Sequence, residues 1–174
     1  MNRLKNRRAA APLLALCVVA LVGGAAFAQR QLRAAASGRP EIKVALAGSV
    51  ERGGQALALD KVEHVKPGEI LDWQIVSSNE GTGAARDYKA VGHIPQGTVF
   101  VAGSAEGEAG SVVTFSIDGG KTFSSQPIVE EKQPDGTVKR VPAPVSMYTE
   151  VRYEWSDAFA PGGKLTASYK VRVK

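Results

Sequence analysis

Residues 164–173 alternate strictly along the chain. Leu165, Ala167, Tyr169, Val171 and Val173 interleave with Lys164, Thr166, Ser168, Lys170 and Arg172. Successive strand side chains point to opposite faces, so the pattern predicts one buried face and one wet face. Val151, Tyr153 and Trp155 alternate in the same way with Glu150, Arg152 and Glu154. Between the two lies Asp157–Gly163, rich in turn residues, which predicts an antiparallel pair. Val113, Phe115 and Ile117 form another apolar set, stopped by Asp118-Gly119-Gly120. Asp-Gly and Gly-Gly supply the positive φ of a tight hairpin. Further strands are expected at about 42–50, 61–65, 70–79, 86–94, 98–103, 121–130 and 137–141. From Glu41 onward there is no 3.6-residue stripe. Short strands with turn signals between them predict an all-β fold, an antiparallel β-sandwich.

Residues 65–83, VKPGEILDWQIVSSNEGTG, carry the most local information. Pro67-Gly68 turns the chain into a strand. Leu71, Trp73 and Ile75 share one face of it, and Asp72 and Gln74 share the other. Asn79 then suits a corner where the ladder stops. Its amide can bond backbone groups left unpaired there, and Gly81 and Gly83 relax the steric limits. Asn79 is therefore read as structural rather than ligand-binding.

These residues also carry a resemblance. Pro67-Gly68-Glu69, Leu71-x-Trp73-x-Ile75, Asn79-x-Gly81, Ile94-Pro95-x-Gly97 and Gly103-Ser104-Ala105 occur in this order. With Phe115–Phe123 and Ala160–Val173, they resemble the bacterial surface-protein repeat family called domain of unknown function 11. The likeness spans about residues 42–174, counted between its outermost matching strands. It implies an immunoglobulin-like fold and brings no agreed activity. Many members carry Asp where Gly92 stands, and many occur as tandem repeats rather than one copy.

The N-terminal pattern differs. Arg3, Lys5, Arg7 and Arg8 precede the uncharged, mostly apolar run Ala9–Ala28. Ala26-Phe27-Ala28 fits the small-x-small rule, which predicts a signal helix over 1–28 and cleavage between Ala28 and Gln29. Residues 29–40 read as a flexible leader, and 41–174 as the sandwich domain. The protein is then exported to the periplasm or the cell surface. The competing reading is an inner-membrane protein anchored by an uncleaved helix, since about 20 apolar residues can span a bilayer. Cys17 is the sole cysteine and lies inside this run. The mature domain therefore needs no disulfide, and roughly 150 residues suffice for a core.

The charge of +5 misleads, because four of the 22 basic residues belong to the signal. The mature chain is almost balanced. It has no basic run interleaved with aromatics, which argues against a nucleic-acid partner.

Candidate chemistry is sparse. His64 and His93 stand at no metal-ligand spacing, although two strands could bring them together, with Asp60 or Asp87. Ser104 and Ser116 lie near motifs, but no G-x-S-x-G occurs. Glu106/Glu108 and Glu130/Glu131 are expected in glycine-rich or charged loops, as solvated side chains. Asp118 opens a hairpin turn rather than an EF-hand. Trp73, Phe115, Tyr153, Trp155 and Tyr169 read as core. Phe100, Phe123, Tyr148 and Phe159 lie near strand ends, where an aromatic patch could form.

The sequence thus predicts an exported, non-catalytic cell-envelope module without a cofactor or metal. It would bind or brace an envelope or surface protein, possibly by strand addition at a sheet edge. One alternative is a small periplasmic metal-binding protein or enzyme using His64 and His93. The other is an assembly or chaperone-like factor for surface proteins.

Overall fold

The computed structural model describes residues 38–108 and 110–174. The expected signal segment 1–28, the cleavage point between Ala28 and Gln29, and nearly all of the leader lie outside these residues. No helix among the described residues is long and apolar enough to cross a membrane.

The chain from Pro40 onward is all-β. Its strands are β1 Ile42–Arg52, β2 Gln55–Ala58, β3 Ile70–Asn79, β4 Tyr88–His93, β5 Thr98–Phe100 and β6 Glu106–Gly107. They continue with β7 Ser111–Ser116, β8 Ile128–Lys132, β9 Val138–Pro142, β10 Glu150–Trp155 and β11 Lys164–Val173. The larger sheet runs β2-β1-β3-β11-β5, with β6 also paired to β11. The smaller runs β4-β10-β7, and β8 and β9 form a separate two-stranded ribbon. Every strand pairing among them is antiparallel.

The alternation read from the sequence decides which faces meet. Leu71 and Ile75 of β3 and Ala167, Tyr169 and Val171 of β11 join Ala90 of β4 and Val151, Tyr153 and Trp155 of β10 in one buried cluster. Two tyrosines bridge the sheets. The Tyr153 hydroxyl donates to the Ser168 carbonyl at 2.5 Å, and the Tyr169 hydroxyl to the His93 carbonyl at 2.6 Å. Each buried ring thereby satisfies its one polar group, as a dry core requires. Burial pushes the Tyr169 phenol up to about 12 and raises that of Tyr153 further.

The antiparallel pair expected between 150–155 and 164–173 does not form. β10 pairs with β4 and β7, and β11 with β3, β5 and β6, so the Asp157–Gly163 loop carries the chain from one sheet to the other. The expected strand at 61–65 does not form either. Gly53 and Gly54, with φ of 59° and 77°, turn the chain back directly after Arg52. The returning strand is Gln55–Ala58, followed by a 3-10 turn at Leu59–Lys61. The strand expected over 121–130 is also largely absent. Asp118 accepts hydrogen bonds from the Lys121 and Thr122 amides, closing a loop. Only a single bridge, Phe115 to Ser124, precedes β8.

The two sheets differ in width. Tyr88 of edge strand β4 donates to Ser77 Oγ of β3 at 2.7 Å, so the smaller sheet reaches as far as β3. Beyond β3 lies β1. Val44 is paired with Ser77 and Leu46 with Ile75, so they share the core-facing side with those residues. Yet Ser77 and Ile75 are buried, while Val44 and Leu46 are each 58% exposed.

Candidate functional site

The residues chosen for their chemistry do not converge. His64 is exposed beside Glu63, at 3.6 Å. His93 is exposed beside Glu150, at 3.8 Å. Neither makes an ion pair with Asp60 or Asp87 among the described residues. No group of three or more His, Cys, Asp or Glu side chains able to hold an ion occurs among them either.

The serines serve the backbone. Ser104 Oγ donates to the Val101 carbonyl at 2.6 Å and accepts from the Lys170 amide at 3.0 Å, which fastens a turn to β11. Ser116 is buried, and its Oγ donates to Asp118 at 2.7 Å while accepting from the Gly120 amide at 2.9 Å. Asp118 also accepts from the Thr122 amide and hydroxyl. These bonds favour the carboxylate, the Thr122 amide most, and hold its pKa at about 2. The loop is thus a closed set of internal bonds. Glu106 lies in strand β6, and Glu130 and Glu131 in strand β8 of the ribbon, rather than in the expected loops; all three are exposed.

The expected aromatic patch is partly core. Phe100 and Phe159 are buried, and Phe100, Phe115 and Tyr148 pack on one another. Phe123 lies under the Arg152 guanidinium, 4.0 Å from its centre.

The feature that the sequence reading placed least well is the edge of β1. The glycine turn closes a hairpin at the pair Arg52 and Gln55. In a two-residue hairpin that pair exchanges both backbone hydrogen bonds, and the donors then alternate. Counting back by two, Val50, Gly48, Leu46, Val44 and Ile42 aim their N–H and C=O groups at β2's side. The odd residues face β3, in keeping with the 2.8 Å bond from the Glu80 amide to the Glu41 carbonyl. But β2 ends at Ala58, opposite Ser49. Among the described residues, no strand pairs with Ile42–Gly48 on that side.

Grooves flank the vacant track on both faces. The inner groove, about 460 Å³, is walled by Leu46, Gly48, Leu59 and Trp73, with Asp60 at its lip. Gly48 is needed there, since a Cβ would stand 2.6 Å from Leu59 and 2.9 Å from Trp73. Trp73 Nε1 is buried with no hydrogen-bond partner among the described residues. The outer groove, about 390 Å³, is more polar and takes in Ser49, Asp72 and Gln74. An extended chain laid beside β1 would find backbone partners in the middle, an apolar groove on one side and a polar one on the other. The "IKVALAG" alternation marks this strand in the sequence. The early stop of β2 had only the Gly53-Gly54 turn as its signal.

No protein-family model, no curated protein and no solved structure matches this chain.

Proposed function

We propose that this chain is an exported, non-catalytic module of a bacterial cell envelope, with an immunoglobulin-like β-sandwich of the domain-of-unknown-function-11 kind. Its work is to bind or brace an envelope or surface protein by strand addition. Several observations support the reading. The two sheets share one core, and the chain passes between them repeatedly, from β3 to β4 to β5 and from β7 through β10 to β11. The N-terminal pattern of cations, apolar run and Ala-x-Ala supports export. The observation that carries the binding role is the half of β1, Ile42–Gly48, whose outer side pairs with no strand among the described residues. A strand edge with free donors and acceptors takes up another strand, and the alternate pockets beside it select its side chains.

In-cell photo-crosslinking tests the binding role. A crosslinking residue is placed at Ala45 on the open edge, or at Val112 on the far strand β7. An adduct is expected from Ala45 alone, and Leu46→Pro should abolish it. Proline removes an N–H that faces the vacant track while leaving the β1–β3 bonds in place. Equal adducts from both positions, or none from Ala45, would refute edge binding.

A further inference from the structure

We propose that the strand received at this edge is β1 of a second copy of this chain, paired antiparallel about a two-fold axis at Val44. The proposal rests on the edge-binding reading and names the partner it left open.

The parity of the strand permits self-pairing, and its apolar row favours it. In each copy the even-numbered residues hold the backbone groups that no described strand pairs with, so even must pair with even. With Val44 opposite Val44 of the second copy, Ile42 falls opposite Leu46. Each such pair exchanges two backbone hydrogen bonds. Paired residues lie on one face, so the two-fold brings Ile42, Val44 and Leu46 of both copies into one apolar row. Val44 and Leu46 are the residues left 58% exposed on an otherwise core-facing side. A foreign peptide would have to bring a matching apolar row. A second copy brings it by symmetry.

The ends of the ladder also fit. Ala58 holds the position opposite Ser49, so Gly48 is the last place open to an incoming strand. In this register Pro40 of the second copy falls opposite Gly48. Proline has no N–H, and it ends the ladder before the chains collide with β2. The outer face raises no charge conflict. Lys43 falls opposite Ala45 of the second copy, and within its own copy it is paired with Glu80. A ladder this short belongs with small, transient interfaces, so the association is concentration-dependent.

Sedimentation of the exported protein, purified from cells that process it, tests the proposal. The expected mass rises with concentration from that of a monomer toward twice that value. Val44→Lys and Leu46→Pro should each hold it at the monomer while the circular dichroism spectrum stays unchanged. The pair Lys43→Cys with Ala45→Cys, which face each other across the two-fold, should form a reducible dimer on oxidation. A wild-type protein that stays monomeric throughout overturns the second-copy proposal, as does a dimer that persists in both edge variants. The crosslinker at Ala45 separates this failure from that of the broader reading. If a monomeric wild type still gives an adduct with a different polypeptide, only the second copy is wrong. If it gives no adduct at all, edge binding falls too.

Discussion

The Asn79 side-chain amide donates to the Phe159 carbonyl at 2.9 Å, joining the end of β3 to the loop that leads into β11. The same nitrogen donates to the Gly83 carbonyl at 2.8 Å. Its Oδ1 accepts from the amides of Glu41 and Gly81, at 3.2 and 3.1 Å. One buried side chain therefore satisfies four backbone groups from three parts of the chain. Asn79→Ala should cost about 1–3 kcal/mol, because those groups lose their partner inside the protein. Asn79→Asp should cost more, since a carboxylate cannot donate to two carbonyls. Urea unfolding at neutral pH checks this. A midpoint equal to wild type at equal slope would sink the corner-pin role.

Gly92 is fixed by a ring. A Cβ there would lie 2.3 Å from Tyr169 Cε1. This explains why an aspartate could not occupy the position here: it faces the core rather than solvent. Gly92→Ala should destabilise by about 1–3 kcal/mol through overpacking. The cost should shrink in a Tyr169→Leu background, where the clashing atoms are gone. A double-mutant cycle measures that coupling. Additive costs would mean that the ring is not the obstacle.

Much of the fold was legible because alternation reports directly on which face is buried. β3, β10 and β11 show it most clearly, and their inward residues are the core. Asn79 was legible too, because polarity at a strand end followed by glycines has a local cause. What failed was decided by partners. Nothing around Lys61–Val65 tells that Gln55–Ala58 pairs first. Phe100 and Phe159 look like rim residues in sequence, but neighbours distant in the chain enclose them. Which edge is open was not legible for the same reason. An alternating strand reads alike whether its outer side is paired or bare, and the exposure of Val44 and Leu46 depends on the narrower sheet opposite.

Asp118 gives a pH test. Its pKa falls from an ordinary 3.8 to about 2, held down first by the Thr122 amide. A group depressed in the folded state stabilises it above the unfolded pKa and loses that contribution as pH falls through the folded one. Stability should therefore decline between about pH 4 and pH 2. Glu69, lowered to about 2 mainly by Arg52, acts in the same window. Asp118→Asn should be less stable than wild type at pH 7, and the gap should narrow toward pH 2. A gap that does not change with pH would show that the bonds do not depend on the charge.

The proposed export makes its own prediction. Intact-mass measurement of protein from the native envelope should give a chain beginning at Gln29, because Ala28 closes the Ala-x-Ala motif. A mass that retains residues 1–28 would mean an anchored protein instead.

The two histidines should prove dispensable. Their side chains are 84% and 68% exposed, and each has one glutamate for company. What the fold uses is their backbone. The His64 carbonyl accepts from Arg52 at 2.7 Å, and the His93 carbonyl accepts from Tyr169 at 2.6 Å. Alanine preserves both carbonyls. The double change His64→Ala with His93→Ala should therefore shift stability by no more than about 0.5 kcal/mol, as for surface sites without special contacts. Tyr169→Phe, which removes the hydroxyl and leaves that carbonyl unpaired, should cost more than both histidines together. The metal reading makes the opposite forecast. A bound ion stabilises the folded state by mass action, so losing its ligands would lower the melting temperature and release metal. Melting curves and metal content of wild type and double variant, purified without chelators, decide between them. Stoichiometric zinc or copper that disappears with the two side chains would show that these histidines hold a metal.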